Sequence, residues 1–328
     1  MKKNTVFCAA FILTGILSAG MLPAYAEDND GPKIVTTIFP EYDWVMNLLG
    51  DNPAGASVTM LLVSGIDLHS YQPTVEDIME ISNCDLFIYV GGESDAWVAD
   101  ALQEAVNPDM VVINLLDALG DKAKEEEIVE GMEGEEEEEE GEGEEEEEGP
   151  ELDEHVWLSL RNASFLCGSI EEALETVDAD NKETYQSNLA AYTEKLTALD
   201  QQYEAAVSEG NQDTLLFGDR FPFRYLADDY GLSYYAAFVG CSAETEASFE
   251  TIAFLAQKVD ELSLTKVMTL EGSDCRIAET IVQSTQNKDQ QILSLNSLQS
   301  ITAKDVEEGA SYLNIMESNL ETLKEALA

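Results

Sequence analysis

The stretch "KIVTTIFPEYDWVMNLLGD", residues 33–51, places a strand pattern directly before a helix pattern. Its first half, "KIVTTIF", is apolar and rich in β-branched residues, which favours a β-strand. Pro40 ends this run, and the apolar residues after it recur at helical spacing. The stretch therefore predicts one strand–helix unit, the building block of α/β proteins.

The same alternation continues on both sides of a central region. "SVTMLLV", "CDLFIYVGG" and "MVVINLL" are typical of strands, and helical patterns such as "TVEDIMEIS" separate them, with Thr74 as the expected N-cap. A second series begins at "DTLLFGD" and ends with the strand pattern "QQILSLN" and a terminal helix from Lys304. Such alternation predicts parallel sheets with helices packed on their faces.

A long stretch between the two series, residues 181–209, contains no Gly or Pro and keeps a helical apolar rhythm. We therefore expect an α/β fold of two lobes. Each lobe has a central four-stranded, mainly parallel sheet flanked by helices, and one long α-helix joins the lobes. The expected boundaries are 33–178 for the N-terminal lobe, 179–210 for the linking helix and 211–328 for the C-terminal lobe.

The N-terminus, residues 1–26, has the three parts of a secretory signal. Lys2 and Lys3 form the charged end, an apolar core follows, and "AYA" supplies small residues before a cleavage expected after Ala26. Cys8 precedes the apolar core, so it is not placed as a lipid-attachment cysteine. We expect an exported bacterial protein that is periplasmic, extracellular or held at the cell surface.

The formal net charge of −51 excludes nucleic acid as a partner, because few groups could neutralise phosphates. It suits cations or cationic surfaces, although high charge also keeps an exported protein in solution. A hydrophobic content of 45% fits a globular chain, which we expect to be monomeric.

Four cysteines follow the signal sequence: Cys84, Cys167, Cys241 and Cys275. Four cysteines allow three pairings, and the sequence does not choose among them. Export permits disulfides without requiring them.

Polar side chains follow several of the predicted strands. In open parallel sheets ligands bind beyond the carboxyl ends of the strands, so two facing sheets would direct these residues into one cleft. They are His69, His155, Asp219, Arg220, Cys241, Glu271 and Asn296.

Several motifs resemble landmarks of the zinc- and manganese-binding solute-binding proteins of ABC importers. They include "TTIFPEYDWVMNLLGD", "GIDLHSYQPTVEDI" and "DEHVWLS" in the first half, and "RYLADDYGL", "GCSAETEASF" and "LEGSDCRIAETI" in the second. The similarity runs from about residue 33 to the C-terminus. It implies the two-lobed fold predicted above, a divalent metal held between the lobes, and docking of the loaded protein on a membrane permease.

The resemblance implies His69 and His155 as metal ligands, within "DLHS" and "DEHVWLS". Arg220 occupies the family's usual third-ligand position, and arginine has no lone pair to give. The fourth position, usually Asp, falls on Asn296. Asp219 and Glu271 are the preferred tentative replacements, ahead of Cys241 and Cys275. An Arg220 directed into the cleft would instead suit an anion, or a metal carried with one.

We expect an extracytoplasmic binding protein that captures a divalent transition metal and delivers it to an ABC permease. Zn²⁺ is the favoured metal, and Mn²⁺ and Fe²⁺ fit two imidazoles with carboxylates as well. One alternative is a surface adhesin on the same scaffold with a degraded metal site. A zinc hydrolase built on His69, His155 and Glu271 is a minor alternative; no common hydrolase or phosphate-binding motif occurs, so an enzyme is not expected.

The segment 124–150 is an acidic insertion in the first lobe that ends just before His155. It carries 17 glutamates between Glu125 and Glu148. Like charges and glycines predict disorder. We expect it either to raise the local cation concentration or to be an idle solvated loop; a third possibility is that its glutamates complete the metal site.

Overall fold

The computed structural model describes residues 31–133, 151–242 and 246–328. Two separate four-stranded sheets form the centre of the described chain. The first contains β1 (Lys33–Thr36), β2 (Ser57–Met60), β3 (Leu86–Tyr89) and β4 (Val111–Asn114). The second contains β5 (Thr214–Phe221), β6 (Ser233–Val239), β7 (Lys266–Leu270) and β8 (Gln291–Leu295).

The two sheets share one topology. Their strand orders are β2-β1-β3-β4 and β6-β5-β7-β8, and every neighbouring pair is parallel. In the first sheet, Ile34 of β1 faces Val58 on one side and Leu86 on the other. Parallel neighbours need a crossover connection, and helices supply it in both lobes. The predicted two-lobed α/β fold is confirmed.

Helices pack on the faces of both sheets. Thr74 caps its helix as predicted, since its Oγ1 accepts from the Asp77 amide and the Asp77 carboxylate accepts from the Thr74 amide. The helices are α1 (Phe39–Leu49), α2 (Val75–Ser82), α3 (Val98–Gln103), α4 (Leu115–Leu119), α5 (Leu160–Val177), α6 (Lys182–Glu209), α7 (Arg224–Tyr230), α8 (Phe249–Leu262), α9 (Arg276–Ser284), α10 (Ala303–Glu307) and α11 (Tyr312–Ala326).

The long joining helix is confirmed as α6, whose 28 residues span about 42 Å. It packs against α5 and α1 of the first lobe and against α11 of the second. Its buried side chains form one stripe along the helix. They are Tyr185, Tyr192, Leu196, Leu199, Tyr203 and Ala206. The helix is therefore packed into both lobes along its length rather than exposed between them.

One hydrophobic core runs through both lobes. Trp44 of α1 meets the ring of Tyr312 of α11 edge to face, with 5.4 Å between ring centroids. The Tyr312 hydroxyl donates to the carbonyl of Trp157 at 2.6 Å, and the Trp157 indole donates to the carbonyl of Ser297 at 2.8 Å. These buried contacts limit how far the lobes can move apart.

The first ten residues of the acidic insertion are ordered, which corrects the expectation of disorder from residue 124. Glu125 forms an antiparallel bridge with Leu152, and Glu133 pairs with Phe238 at the edge of the second sheet. The segment 124–133, here called the strap, thus extends from the first lobe onto the second. Backbone pairing at both ends offsets the repulsion among its carboxylates. Residues 134–150, like the predicted signal sequence 1–26, lie outside the described residues.

Within the described ranges, no helix combines the length and the apolar character needed to cross a membrane. The four cysteines there, Cys84, Cys167, Cys241 and Cys275, are all free thiols.

Candidate metal centre

His69 lies in a short 3-10 turn, Leu68–Ser70, beyond the carboxyl end of β2. The Asp67 carboxylate caps this turn by accepting from the His69 amide at 3.1 Å. The loop is tied to the second lobe, because Ser64 bridges to Thr302 and the Ala303 amide donates to the Val63 carbonyl at 3.0 Å. The first predicted histidine therefore sits where the two lobes meet.

His155 lies just before the 3-10 turn Val156–Leu158 and is fully buried. Oδ1 of Asp153 accepts from the His155 amide at 2.8 Å and lies 3.0 Å from Nδ1 of the ring. A carboxylate can only accept, so this contact places the ring proton on Nδ1 and leaves a lone pair at Nε2. In this tautomer Nε2 is the ring nitrogen that could bind a metal.

The two histidines face each other across 3.1 Å between their Nε2 atoms. A tetrahedral zinc ion with Zn–N distances near 2.0–2.1 Å would separate two such nitrogens by about 3.3 Å. On the far side of His69, Nδ1 lies 2.7 Å from Ser94 Oγ and 3.4 Å from Oε2 of Glu154. Each ring thus has a carboxylate near its Nδ1 atom, and the Nε2 atoms of the two rings face each other. A carboxylate near the nitrogen that does not bind the metal is the usual arrangement of metal-bound imidazoles.

Burial, together with the neighbouring His155, lowers the pKa of His69 to about 3. The ring is accordingly neutral at neutral pH, the form that can bind a metal.

Glu154 is a buried carboxylate whose Oε2 has no hydrogen-bond partner. Its Oε1 accepts from the Ser94 amide at 2.8 Å. Burial raises the pKa of Glu154 to about 7. Gly92 makes room for this side chain, because a Cβ at Gly92 would lie 2.3 Å from Oε1. A buried group held in this way beside a histidine fits a site that receives a cation.

Cys241 is the third potential ligand in the cluster. Ligand atoms of His69, His155 and Cys241 all lie within 4.8 Å of one another. The residue follows β6, and the Gly240 before it lies against the His155 ring, where a Cβ would be 3.0 Å from Cε1. Burial and the carboxylates of Glu154 and Asp153 raise the pKa of the Cys241 thiol.

Arg220 forms an ion pair with Asp67, so the family's third-ligand position holds a charge pair between the lobes. Burial opposes ionisation of Asp67, but the Arg220 guanidinium and His69 hold its pKa below the usual value. Gln299 joins this group when its amide nitrogen is oriented towards the Asp67 carboxylate. Its nitrogen then donates to Asp67 Oδ1 at 2.8 Å, and its oxygen lies 3.2 Å from Nε2 of His155.

The structure places the three tentative oxygen ligands in other contacts. Asp219 accepts from the amides of Arg220 at 3.0 Å and Leu270 at 3.2 Å. Both oxygens of Glu271 accept from Ser297, from its amide and its hydroxyl, each at 2.7 Å. Asn296 Oδ1 accepts from the Leu298 amide at 2.8 Å.

Cys275 is also outside the cluster, since its thiol contacts the carbonyl of Ser273 at 3.6 Å.

Four residues near the histidines were not predicted from the sequence: Asp67, Asp153, Glu154 and Gln299. Asp153 and Glu154 are adjacent to His155 in "DEHVW", and this proximity was an available signal. Gln299 lies beyond β8 in "SLQS", where only the strand end could have drawn attention.

A cavity of about 460 Å³ adjoins His69. It lies between the lobes, with Asp67, His69 and Ser70 on one side and Asp219, Arg220 and Ser242 on the other. Its lining contains carboxylates and arginines, and Arg220 pairs there with Asp67 and Arg276 with Asp274.

Comparison with known families identifies the family of this chain. Residues 34–326 match the family described as zinc-uptake complex component A, periplasmic (ZnuA). The chain belongs to this family. The resemblance to metal-binding proteins of ABC importers is thereby confirmed.

Two relatives of the ZnuA family are similar over nearly the whole chain. The high-affinity zinc uptake system protein ZnuA of Bacillus subtilis is 30% identical over 98% of this chain and 96% of its own length. The zinc-binding lipoprotein AdcA of Streptococcus pneumoniae is 33% identical over 99% of this chain. The chain spans 61% of the length of that relative.

A solved structure agrees with the fold. The Zn(II)-bound ZnuA-like domain of Streptococcus pneumoniae AdcA superposes with a TM-score of 0.69 at 28% identity. The match covers 90% of this chain and 99% of that domain.

Proposed function

We propose that this member of the ZnuA family is the extracytoplasmic binding component of a zinc importer. It captures Zn²⁺ between its two lobes at His69 and His155 and delivers the ion to an ABC permease. The observation that carries the proposal is the pair of Nε2 atoms 3.1 Å apart, each on a ring with a carboxylate near its other nitrogen. Zinc-binding relatives of the same family support the choice of metal.

The protein itself prepares the site for capture. His69 stays neutral because burial disfavours its charged form, so little proton competition opposes binding there at neutral pH. Asp153 fixes the orientation of the His155 ring. A preformed pair of nitrogen donors reduces the ordering cost of binding.

The negative charge of the chain assists capture, and the packing between the lobes limits release. The acidic surroundings attract cations and speed their arrival, an effect that salt weakens. Release requires the two lobes to separate at the cleft. The continuous core and α6 restrict that separation to a small motion, which contact with a permease could drive by binding the more open form.

Asp219, Glu271 and Asn296 remain tentative ligands. To bind the metal, each would have to give up its present contacts, two backbone amides for Asp219 and both Ser297 bonds for Glu271. Losing such partners in a half-buried setting costs about 1–3 kcal/mol for each group left unsatisfied. A metal bond would have to exceed this cost.

Calorimetric titration with Zn²⁺ and with Mn²⁺ tests the proposal. We expect zinc binding tighter than micromolar in the unmodified chain and a loss of at least about 100-fold in His69→Ala and His155→Ala, because removing either ring leaves too few donors. Ser187→Ala, a substitution at an exposed position of α6, serves as the control. Weak zinc binding, or tight binding that survives removal of both histidines, would contradict the proposal.

Delivery and the absence of catalysis need separate measurements. The zinc-loaded protein should stimulate ATP hydrolysis by its permease in membrane vesicles, and the His69→Ala, His155→Ala double variant should not. The zinc-loaded protein should leave ester and amide substrates unchanged. Elution as a single-chain species in size-exclusion chromatography would agree with the expected monomer.

A further inference from the structure

We infer that Cys241 supplies the third metal ligand, as a thiolate, and that the site is therefore selective for thiophilic divalent ions. The inference rests on the proposed function, since it concerns the same cation and the same histidine pair. It assigns to a loop cysteine the role that Arg220 cannot fill.

The geometry of the cluster carries this inference. His69, His155 and Cys241 are the group of potential ligands within 4.8 Å of one another in the described residues. Tetrahedral zinc with two nitrogens near 2.0–2.1 Å and a sulfur near 2.3 Å requires ligand separations of about 3.3–3.6 Å. The nitrogen pair is already close to this spacing at 3.1 Å. A shift of about 1 Å by the Cys241 side chain completes the triangle.

Two backbone features hold Cys241 beside the histidines. Its amide donates to Oε1 of Glu126, a residue of the strap, at 3.2 Å. The preceding Gly240 packs on the His155 ring at a distance that leaves no room for a side chain. The strap therefore contributes one glutamate that positions the cysteine backbone, and Glu126 is a positioning residue rather than a ligand.

The competing groups are engaged elsewhere. Asp67 is paired with Arg220, and Asp219 and Glu271 accept hydrogen bonds from the backbone. Cys275, the other half-buried thiol of the second lobe, contacts the Ser273 carbonyl. The oxygen of Gln299, 3.2 Å from His155 Nε2, is placed to act as a neutral fourth donor.

A site of two imidazoles and one thiolate has a defined metal preference. Thiolate favours zinc and its heavier congener cadmium, whereas manganese, magnesium and calcium prefer carboxylate and carbonyl oxygen. On binding, the metal–sulfur bond replaces the S–H bond, and the proton passes to solvent. No oxidation or reduction is involved.

Cobalt(II) is the probe for the thiolate, since it takes tetrahedral zinc sites and its thiolate complexes absorb strongly in the near ultraviolet. The unmodified chain loaded with Co²⁺ should show this sulfur-to-cobalt band. Cys241→Ser should bind Co²⁺ through the histidines without the band. Cys275→Ser should keep it, as the matched control from the same lobe. A Co²⁺-loaded unmodified chain with no such band, or a band that persists in Cys241→Ser, would overturn the inference.

Affinity provides the second measurement. In Cys241→Ser, zinc affinity should fall at least tenfold, which corresponds to about 1.4 kcal/mol. Manganese affinity should change less, so the ratio of zinc affinity to manganese affinity should decrease. Circular dichroism of each variant checks that the fold is retained. An unchanged ratio of zinc affinity to manganese affinity in a folded Cys241→Ser protein would also overturn the inference.

The outcomes separate this inference from the proposed function. Tight zinc binding that depends on His69 and His155 but gives no thiolate signal would leave the proposed function standing and remove Cys241 from the site. Absence of tight, histidine-dependent binding would remove both.

Discussion

Arg220 of β5 forms an ion pair with Asp67, the residue that caps the turn carrying His69. The pair joins the two lobes at the edge of the histidine cluster, where Oδ1 of Asp67 lies 3.9 Å from Nε2 of His69. Arg220 thus keeps a nearby carboxylate occupied. Asp67, a carboxylate that could otherwise offer an oxygen to a metal, is held in a charge pair instead.

Replacing Arg220 should free that carboxylate. In Arg220→Gln we expect manganese affinity to rise by at least about tenfold, because Asp67 becomes available as a hard oxygen ligand and a positive charge leaves the site. Competition titrations with zinc and manganese measure the change. Arg161→Gln, a substitution of an exposed arginine on α5, is the control and should leave both affinities unchanged. Manganese affinity that stays constant in Arg220→Gln would show that Asp67 does not reach the metal.

Asp153 should matter for metal affinity although it is not placed as a ligand. Asp153→Asn replaces a carboxylate, which can only accept, with an amide that can also donate, so the proton is no longer fixed on Nδ1 of His155. Loss of such an outer partner typically lowers metal affinity by about 10–100-fold, and we expect that range for zinc. Glu151→Gln, an exposed substitution two residues earlier, provides the control. Equal zinc affinities for the two variants would contradict the orienting role of Asp153.

The position of the strap against the second lobe should depend on Gly131, which has a φ of +82° and lies against Phe254. In Gly131→Ala the added Cβ would be 2.1 Å from the ring, so the strap or the Phe254 ring must shift and their contact is disturbed. We expect faster proteolysis within the strap and a loss of about 1–3 kcal/mol in the free energy of unfolding.

Gly272→Ala is the matched control for that prediction. Its φ of +72° imposes similar backbone strain, but nothing lies within 4 Å of the added Cβ. It should cost about 1 kcal/mol and leave proteolysis of the strap unchanged. Identical behaviour of the two variants would mean that the contact with Phe254 does not hold the strap.

Asp43 on α1 should make stability depend on pH. Burial raises its pKa from 3.8 to about 6, although Tyr192 and Asn47 donate to it. The folded chain therefore keeps a proton between pH 4 and 6 that the unfolded chain loses. The contribution of this group to stability is present below about pH 4 and is lost as pH rises through 6.

Asp43→Asn removes the buried charge and should raise the free energy of unfolding at pH 8 by about 1–3 kcal/mol, with little gain at pH 4. Urea denaturation at the two pH values measures the difference. The exposed Asp51→Asn on the same lobe serves as control and should show no such contrast. A gain of equal size at both pH values would argue against titration of Asp43.

The acidic residues beyond the strap should affect the rate of capture rather than affinity. Changing the twelve glutamates between residues 134 and 150 to glutamine removes negative charge and leaves Glu126 in place. We expect slower zinc association at low salt and nearly unchanged equilibrium affinity, since steering acts on the on-rate and is screened by salt. Stopped-flow mixing measures the association rate, and equilibrium titration measures the affinity. A large affinity loss would instead make those glutamates ligands.

Much of the fold follows from local patterns along the chain. Apolar β-branched runs such as 33–39 and the helical rhythm of 181–209 are set by neighbouring residues, so the parallel sheets and α6 could be predicted. The order of the strands and the shared core, including the contact of Trp44 with Tyr312, join residues far apart in sequence. No local pattern specifies such pairings.

The same division applies to the site. His69 and His155 were selected by their motifs and by their positions after strands, because both signals are local. The alignment of their Nε2 atoms depends on long-range packing within the first lobe, whereas the pairing of Arg220 with Asp67 and the approach of Cys241 depend on how the two lobes meet. The chain by itself determined two histidine donors and an acidic insertion. Only the tertiary structure decided which side chain faces them, since packing between the lobes brings the loop after β6 to the histidines and fixes which carboxylates are already paired.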